Sequence, residues 1–219
     1  MRLNDYIIEI TKGTVPRVKA IFSKRLPDVK QELIRRKWNI NDNSALEILN
    51  KYFIKNKIQF HLSKGKTYHG GKYVAYGESW DDGSVEIYLN KNFSKYWIKK
   101  FAVNPESFDD YDENQFFGEI FFTLSHELIH KKQSFKASGK GNEMGVDIFG
   151  DSPSKLDYYS SKREVEAYAY QAYLEYMTQD GKSPIFDFYL TTFNKNDPVR
   201  KRFLKKFYQY LDQQDKLKS

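Results

Sequence analysis

Apolar residues near the start of the chain recur at helical spacing. Ile7, Ile10, Val18, Ile21, Phe22, Val29 and Leu33 predict helix over residues 3–38, broken near Pro16 and Pro27, where proline removes a backbone donor. A second helix is predicted over 45–54, with Asn43-Ser44 as its N-terminal cap. The period then changes to two. Over 84–89, Val85, Ile87 and Leu89 fall on one face and Glu86 and Tyr88 on the other, as in a half-buried strand. Residues 72–76, bracketed by Gly70-Gly71 and Gly77, predict a partner strand, and Asp81-Asp82-Gly83 reads as the hairpin turn between them.

Helical patterning resumes near 96–103, followed by an acidic segment at 105–113. The run Phe121-Phe122-Thr123-Leu124-Ser125-His126-Glu127-Leu128-Ile129-His130 predicts a core helix that leaves the core directly afterwards, at Lys131-Lys132. Residues 135–160 are rich in Gly, Ser, Asp and Lys and read as a long irregular connection. Residues 161–174 predict another helix, being rich in Ala, Glu and Leu with no Gly or Pro before Gly181. Phe186, Phe188, Tyr189 and Leu190 read as packing, and Asn196-Asp197-Pro198 caps a final basic helix over 199–213. The order of elements predicts an α+β fold. A small, mostly antiparallel sheet precedes the helix of His126, and further helices lie at both ends. Segments 1–57, 58–180 and 181–219 would then be an N-terminal helical layer, a core and a C-terminal helical extension of one compact domain.

One short spacing carries chemistry. The chain has four histidines, and two of them, His126 and His130, stand one helical turn apart with Glu127 between them. On a helix, both imidazoles can be aimed at one tetrahedral zinc, which takes nitrogen ligands at about 2.0–2.1 Å. Glu127 is placed to take a proton from water at the metal. The bland reading is two polar residues at the exposed edge of a core helix. It fits poorly with the flanking Phe121, Phe122, Leu124, Leu128 and Ile129, because a buried imidazole needs a polar partner. No histidine follows His130, and there is no cysteine, so a downstream third ligand is a carboxylate. Glu164 and Glu166 are the candidates. Two residues are about 200° apart on a helix, so one of them at most faces the metal.

His126-Glu127-Leu128-Ile129-His130 is the HExxH pattern of zinc metallopeptidases. With Glu164-Val165-Glu166-Ala167 on a later helix, the chain resembles the glutamate zincins. Glu-x-Glu-Ala in several such families binds zinc through its first glutamate, which nominates Glu164. The alternative form, Glu-Ala-x-x-Asp, nominates Glu166. The longer metzincin pattern fails, since Gln133 and Lys136 stand where glycine and histidine would be. The resemblance covers the two helices and the strands before them, under half the chain. It departs at Tyr168 or Tyr170, where an Asp or Asn that orients a ligating histidine often stands. It implies a zincin-like fold with Zn2+ as cofactor, and hydrolysis of a protein or peptide by zinc-activated water with Glu127 as general base. Substrate would pair along an edge strand. Tyr159, Tyr158 and His69 are candidates for an oxyanion or substrate contact. A reading from another class is a non-enzymatic structural or interaction protein, such as a phage or particle component, that retains the fold. Glu127 divides the two, since a purely structural zinc site has no use for an adjacent uncoordinated carboxylate.

Composition changes this picture little. Hydrophobic residues make up 40% and aromatics 17%, which excludes wholesale disorder. The zero cysteine count excludes disulfides and thiolate metal sites. Net charge is +7, but the basic residues are dispersed and accompany no nucleic-acid-binding signature, so they read as solvated helix faces. No apolar run is long enough for a membrane span, and the start lacks a signal-peptide pattern. The expectation is a cytoplasmic protein with no membrane partner, with phage association or signal-less export as the alternative.

Overall fold

A computed structural model describes residues 3–64, 72–80, 82–103, 115–138 and 155–218. The described residues form eight α-helices and one three-stranded sheet. The chain divides into two compact units, one of Val15–Glu127 and one of Met1–Thr14 with Leu128–Ser219.

The first unit is an α+β unit that begins within helix α1 (Leu3–Arg35). The helix continues through Pro16 and Pro27, where breaks were predicted. Each proline forgoes one intrahelical hydrogen bond, while Val18, Phe22, Leu26, Val29 and Leu33 present a fully buried stripe that holds the helix together. Helix α2 (Asp42–Phe53) starts earlier than predicted, because Asn41 caps it and accepts from the Ser44 N–H at 3.0 Å.

Strands β1 (Ile58–Leu62), β2 (Val74–Ser79) and β3 (Val85–Leu89) form a sheet of order β1-β3-β2. The β2–β3 pair is the predicted hairpin, turned at Gly83 with φ of 85°. Strand β1 was not predicted and pairs parallel to β3, so the sheet is mixed rather than mostly antiparallel. The outer edge of β1 is satisfied at Phe60. Asn50 of α2 accepts from its N–H at 2.7 Å and donates to its C=O at 2.9 Å.

Ile58, Phe60, Val85, Ile87 and Leu89 turn one face of the sheet inward. Helix α3 (Phe93–Val103) supplies Phe93 and Trp97 to an aromatic cluster with Phe116 and Phe117. These last two open helix α4 (Gln115–Ser138), and Phe22 meets Phe117 and Phe121 from α1. Glu119 of α4 fixes the entry to β2. Its carboxylate accepts from the backbone N–H groups of Lys72, Tyr73 and Val74 at 2.9, 2.8 and 2.9 Å.

In the second unit, α4 runs on to Ser138, into the stretch from 135 that was predicted as irregular chain, and helix α5 (Lys155–Ser160) closes that stretch. Helix α6 (Lys162–Thr178) is capped by Ser161, and α7 (Pro184–Thr192) by Ser183. Helix α8 (Pro198–Lys218) has proline in its first turn, and Asp197 accepts from the Val199 N–H at 2.7 Å. The core of this unit is aromatic. Tyr189 stacks on Phe203 with ring centroids 4.1 Å apart, and Tyr170 meets Tyr210 edge-on. Buried Glu175 accepts from Ser183 Oγ and Gln171 Nε2, which ties the end of α6 to the start of α7. Among the described residues no helix is long and apolar enough to cross a membrane.

Candidate metal centre

His126, Glu127 and His130 lie on α4 and are buried, with relative exposures of 5%, 6% and 5%. One potential ligand atom from each lies within 4.8 Å of the others. Helical geometry explains the grouping: His126 and His130 are one turn apart, and Glu127 is three residues before His130. Leu124, Leu128 and Ile129 are buried around them, so the polar triad interrupts an otherwise apolar stretch of helix.

The environment of Glu127 is set by β2. A methyl group built on Gly77 would stand 2.7 Å from Thr123 Cγ2 and 2.8 Å from Glu127 Cγ. Gly77 does not have a positive φ, so glycine is needed there for space alone. Gly77 pairs with Ile87 in the sheet, on the inward face, while Tyr76 pairs with Tyr88 and Glu78 with Glu86 on the opposite face. On that opposite face Tyr76 stacks on Tyr88 and Tyr88 on His61. Burial raises the Glu78 carboxyl above the ordinary range, and the charges of Glu86 and Glu127 add to the shift.

His130 has partners on both ring nitrogens. Its Nε2 is 3.2 Å from Glu164 Oε1. Glu164 is the third residue of α6, where the helix dipole favours a negative charge, and its own N–H is capped by Ser161 Oγ at 3.2 Å. Ser161-x-x-Glu164 has the residue pattern of a capping box, yet the carboxylate engages His130. The Nδ1 atom lies 3.0 Å from Gln133 Oε1 and 3.1 Å from Arg163 Nε.

The buried group of His126, Glu127 and His130 could hold a metal ion. Ligand atoms at about 2.0–2.2 Å from a tetrahedral centre stand roughly 3.3–3.6 Å from one another. The 3.2 Å between Nε2 of His130 and Oε1 of Glu164 is close to such an edge. Among the described residues the donors that lie within 4.8 Å of one another are those of His126, Glu127 and His130; Glu164 lies against His130 and is not one of that group.

Glu166, the other nominated carboxylate, is placed differently. It pairs with Lys206 of α8 at 2.7 Å and accepts from Gln133 Nε2 at 3.3 Å. Tyr159 is buried and packs on Tyr168 and Phe188, and burial pushes its hydroxyl up to about 12, so it stays protonated at neutral pH. Tyr168 is raised in the same direction by burial, with Tyr158, Tyr159 and Glu164 adding to it. Tyr158 is 42% exposed, and Tyr170 is buried against Tyr210. His69 lies outside the described residues, as does the acidic segment at 105–113.

Three residues of this neighbourhood were not singled out in the sequence. Gln133 stands at i+3 from His130, a spacing that could have nominated it. Arg163 and Gly77 carry no signal of their own, because their roles depend on elements packed against them. Compared with models of protein families, with curated proteins and with solved structures, the chain matches none.

Proposed function

We propose that the protein is a zinc-dependent metallopeptidase of glutamate-zincin type. The observation that carries the reading is the buried His126-Glu127-His130 face of α4, with Glu164 against His130. His126, His130 and Glu164 would hold the ion, and zinc bound there would supply a Lewis acid that acidifies water and polarises the scissile carbonyl. Glu127, on the same helix face and not needed as a ligand, takes the proton of the attacking water and passes it to the leaving amine.

The sheet supports a peptide substrate. Each edge is engaged at one point, β1 by Asn50 at Phe60 and β2 by Glu119 at Val74, and beyond Val74 strand β2 lies against Glu127 at Gly77. An extended peptide added alongside β2 by main-chain pairing would run past the general base. The small sheet ahead of α4 and the later helix bearing Glu164 match the order of elements in the zincin resemblance.

The test is the metal content of protein purified without chelator or nickel, beside His126→Ala and Glu127→Gln. The expected result is about one zinc per chain in wild type and in Glu127→Gln and none in His126→Ala, with peptide hydrolysis confined to wild type. A wild-type chain that takes up no zinc when it is supplied sinks the proposal. So does a Glu127→Gln variant that cleaves peptide at the wild-type rate.

A further inference from the structure

The hydrogen carried by His130 decides whether it can bind a metal, and its surroundings pull that hydrogen in two directions. Gln133 Oε1 and Arg163 Nε both reach Nδ1, at 3.0 and 3.1 Å. A carbonyl oxygen only accepts, so the Gln133 contact needs a hydrogen on Nδ1. A guanidinium only donates, so the Arg163 contact needs a lone pair there. A neutral imidazole has one N–H, and the two hydrogen bonds therefore exclude each other.

The amide of Gln133 is not free to turn over. Its Nε2 donates to the Arg163 carbonyl at 3.2 Å and to Glu166 Oε2 at 3.3 Å, which leaves Oε1 for His130. Glu166 is held in turn by Lys206 at 2.7 Å. When Nδ1 accepts from Arg163, the hydrogen sits on Nε2 and points to Glu164 Oε1, 3.2 Å away. Histidine and glutamate are then bonded to each other, and Nε2 has no lone pair to offer. When Nδ1 donates to Gln133, Nε2 is bare and Glu164 is released from that bond.

We propose that Gln133 is the positioning residue that selects the metal-binding tautomer of His130, and that Arg163 holds the competing tautomer that closes the site. The inference rests on the metallopeptidase reading through its zinc site. In the exchange one proton leaves Nε2 and one arrives at Nδ1 through water, so the imidazole stays neutral and nothing is taken up or released overall. Glu166, nominated by sequence as an alternative ligand, is the outer anchor of this arrangement. Zinc shifts the balance because it binds only the form that Gln133 stabilises.

The experiment combines long-range 1H–15N spectra of His130 with zinc affinity measured by chelator competition, for wild type, Gln133→Met and Arg163→Met. Metal-free wild type is expected to carry the hydrogen on Nε2, and the zinc-loaded protein to carry it on Nδ1. Gln133→Met should weaken zinc binding about 10–100-fold, the effect of losing the hydrogen-bond partner of a ligating histidine. Arg163→Met should bind zinc at least as tightly as wild type. If Gln133→Met binds zinc like wild type, or Arg163→Met binds it more weakly, the inference falls while the metal site stands. A wild-type chain that binds no zinc overturns the site and this inference together.

Discussion

Replacing Gly77 by alanine places one methyl group where the packing leaves no room. The added carbon would sit 2.7 Å from Thr123 Cγ2 and 2.8 Å from Glu127 Cγ, with Glu127 Oε1 at 3.2 Å. Carbon atoms normally meet at about 3.5–4.0 Å, so the overlap is about 1 Å at two contacts. Overpacking of this kind costs about 1–3 kcal/mol. Stiffening the unfolded chain returns about 0.4–1 kcal/mol, because the backbone at Gly77 lies outside the left-handed region. The net expectation is a loss of about 1–2 kcal/mol, or roughly 2–8 °C in Tm for a chain of this size.

The assay is thermal or denaturant unfolding in a mutant cycle. Thr123→Ser removes one obstructing carbon and Glu127→Ala the other, so in the doubly relieved background Gly77→Ala should become neutral or stabilising. Coupling of at least about 1 kcal/mol between position 77 and the pair is expected, well above the 0.3–0.5 kcal/mol scatter of independent sites. In the otherwise native chain, peptide hydrolysis should drop while zinc is retained, because the methyl group displaces the Glu127 side chain. Equal costs of Gly77→Ala in both backgrounds would refute the close approach of β2 to Glu127.

Other consequences are checked more simply. Glu164→Gln should lower zinc affinity by more than about 100-fold, whereas Glu166→Gln should change it by less than about tenfold, since only Glu164 lies against His130. Glu119→Leu should destabilise the fold by about 2–4 kcal/mol and speed amide exchange at Tyr73 and Val74, whose N–H groups lose their acceptor. Burial holds the Glu119 carboxyl above the ordinary range against the pull of those three N–H groups, so its contribution is largest at low pH and declines as pH rises through the raised value. Glu32 behaves in the opposite sense. Its hydrogen bond to Arg35, with Arg36 and Lys51 assisting, holds it at about 2, so its contribution is present above the ordinary value of 4.5 and is lost as pH falls toward 2. Glu32→Gln should flatten that part of an acid-unfolding curve, and an unchanged curve would count against the ion-pair cluster.

Features set by near neighbours were legible in the sequence. The β2–β3 hairpin followed from the alternation of Val85, Ile87 and Leu89 and from a glycine at the turn. The start of α8 followed from Asp197-Pro198, and the reach of α4 through His130 from its apolar run. Features set by distant partners were not. Strand β1 alternates over only five residues directly after a helical segment, and its pairing with β3 is parallel and non-local. Pro16 and Pro27 argue for breaks when read locally, but α1 is continuous through both, and its buried stripe from Val18 to Leu33 spans Pro27. At the candidate site, the histidine pair and Glu127 follow from spacing on one helix, and Glu164 from a family pattern. Gln133 and Arg163 acquire their roles only because α6 brings its first turn against α4.

Strand β2 is fixed to α4 at two points, and their spacing makes the pair a caliper. Glu119 grips Val74, and Gly77 admits Glu127. Eight residues of helix advance about 12 Å, and three residues of strand advance about 10 Å. The two spans match closely enough for both jaws to close at once. The irregularity lies between the jaws: Val74 faces Leu89 and Tyr76 faces Tyr88, so Ala75 is an extra residue on β2. The length between the jaws is therefore as constrained as the residues themselves. Ala75 is the extra residue of that irregularity, so its deletion would bring Tyr76 next to Val74, leave Gly77 opposite Ile87 and keep every side chain named at the metal centre, yet would shorten the strand between the jaws.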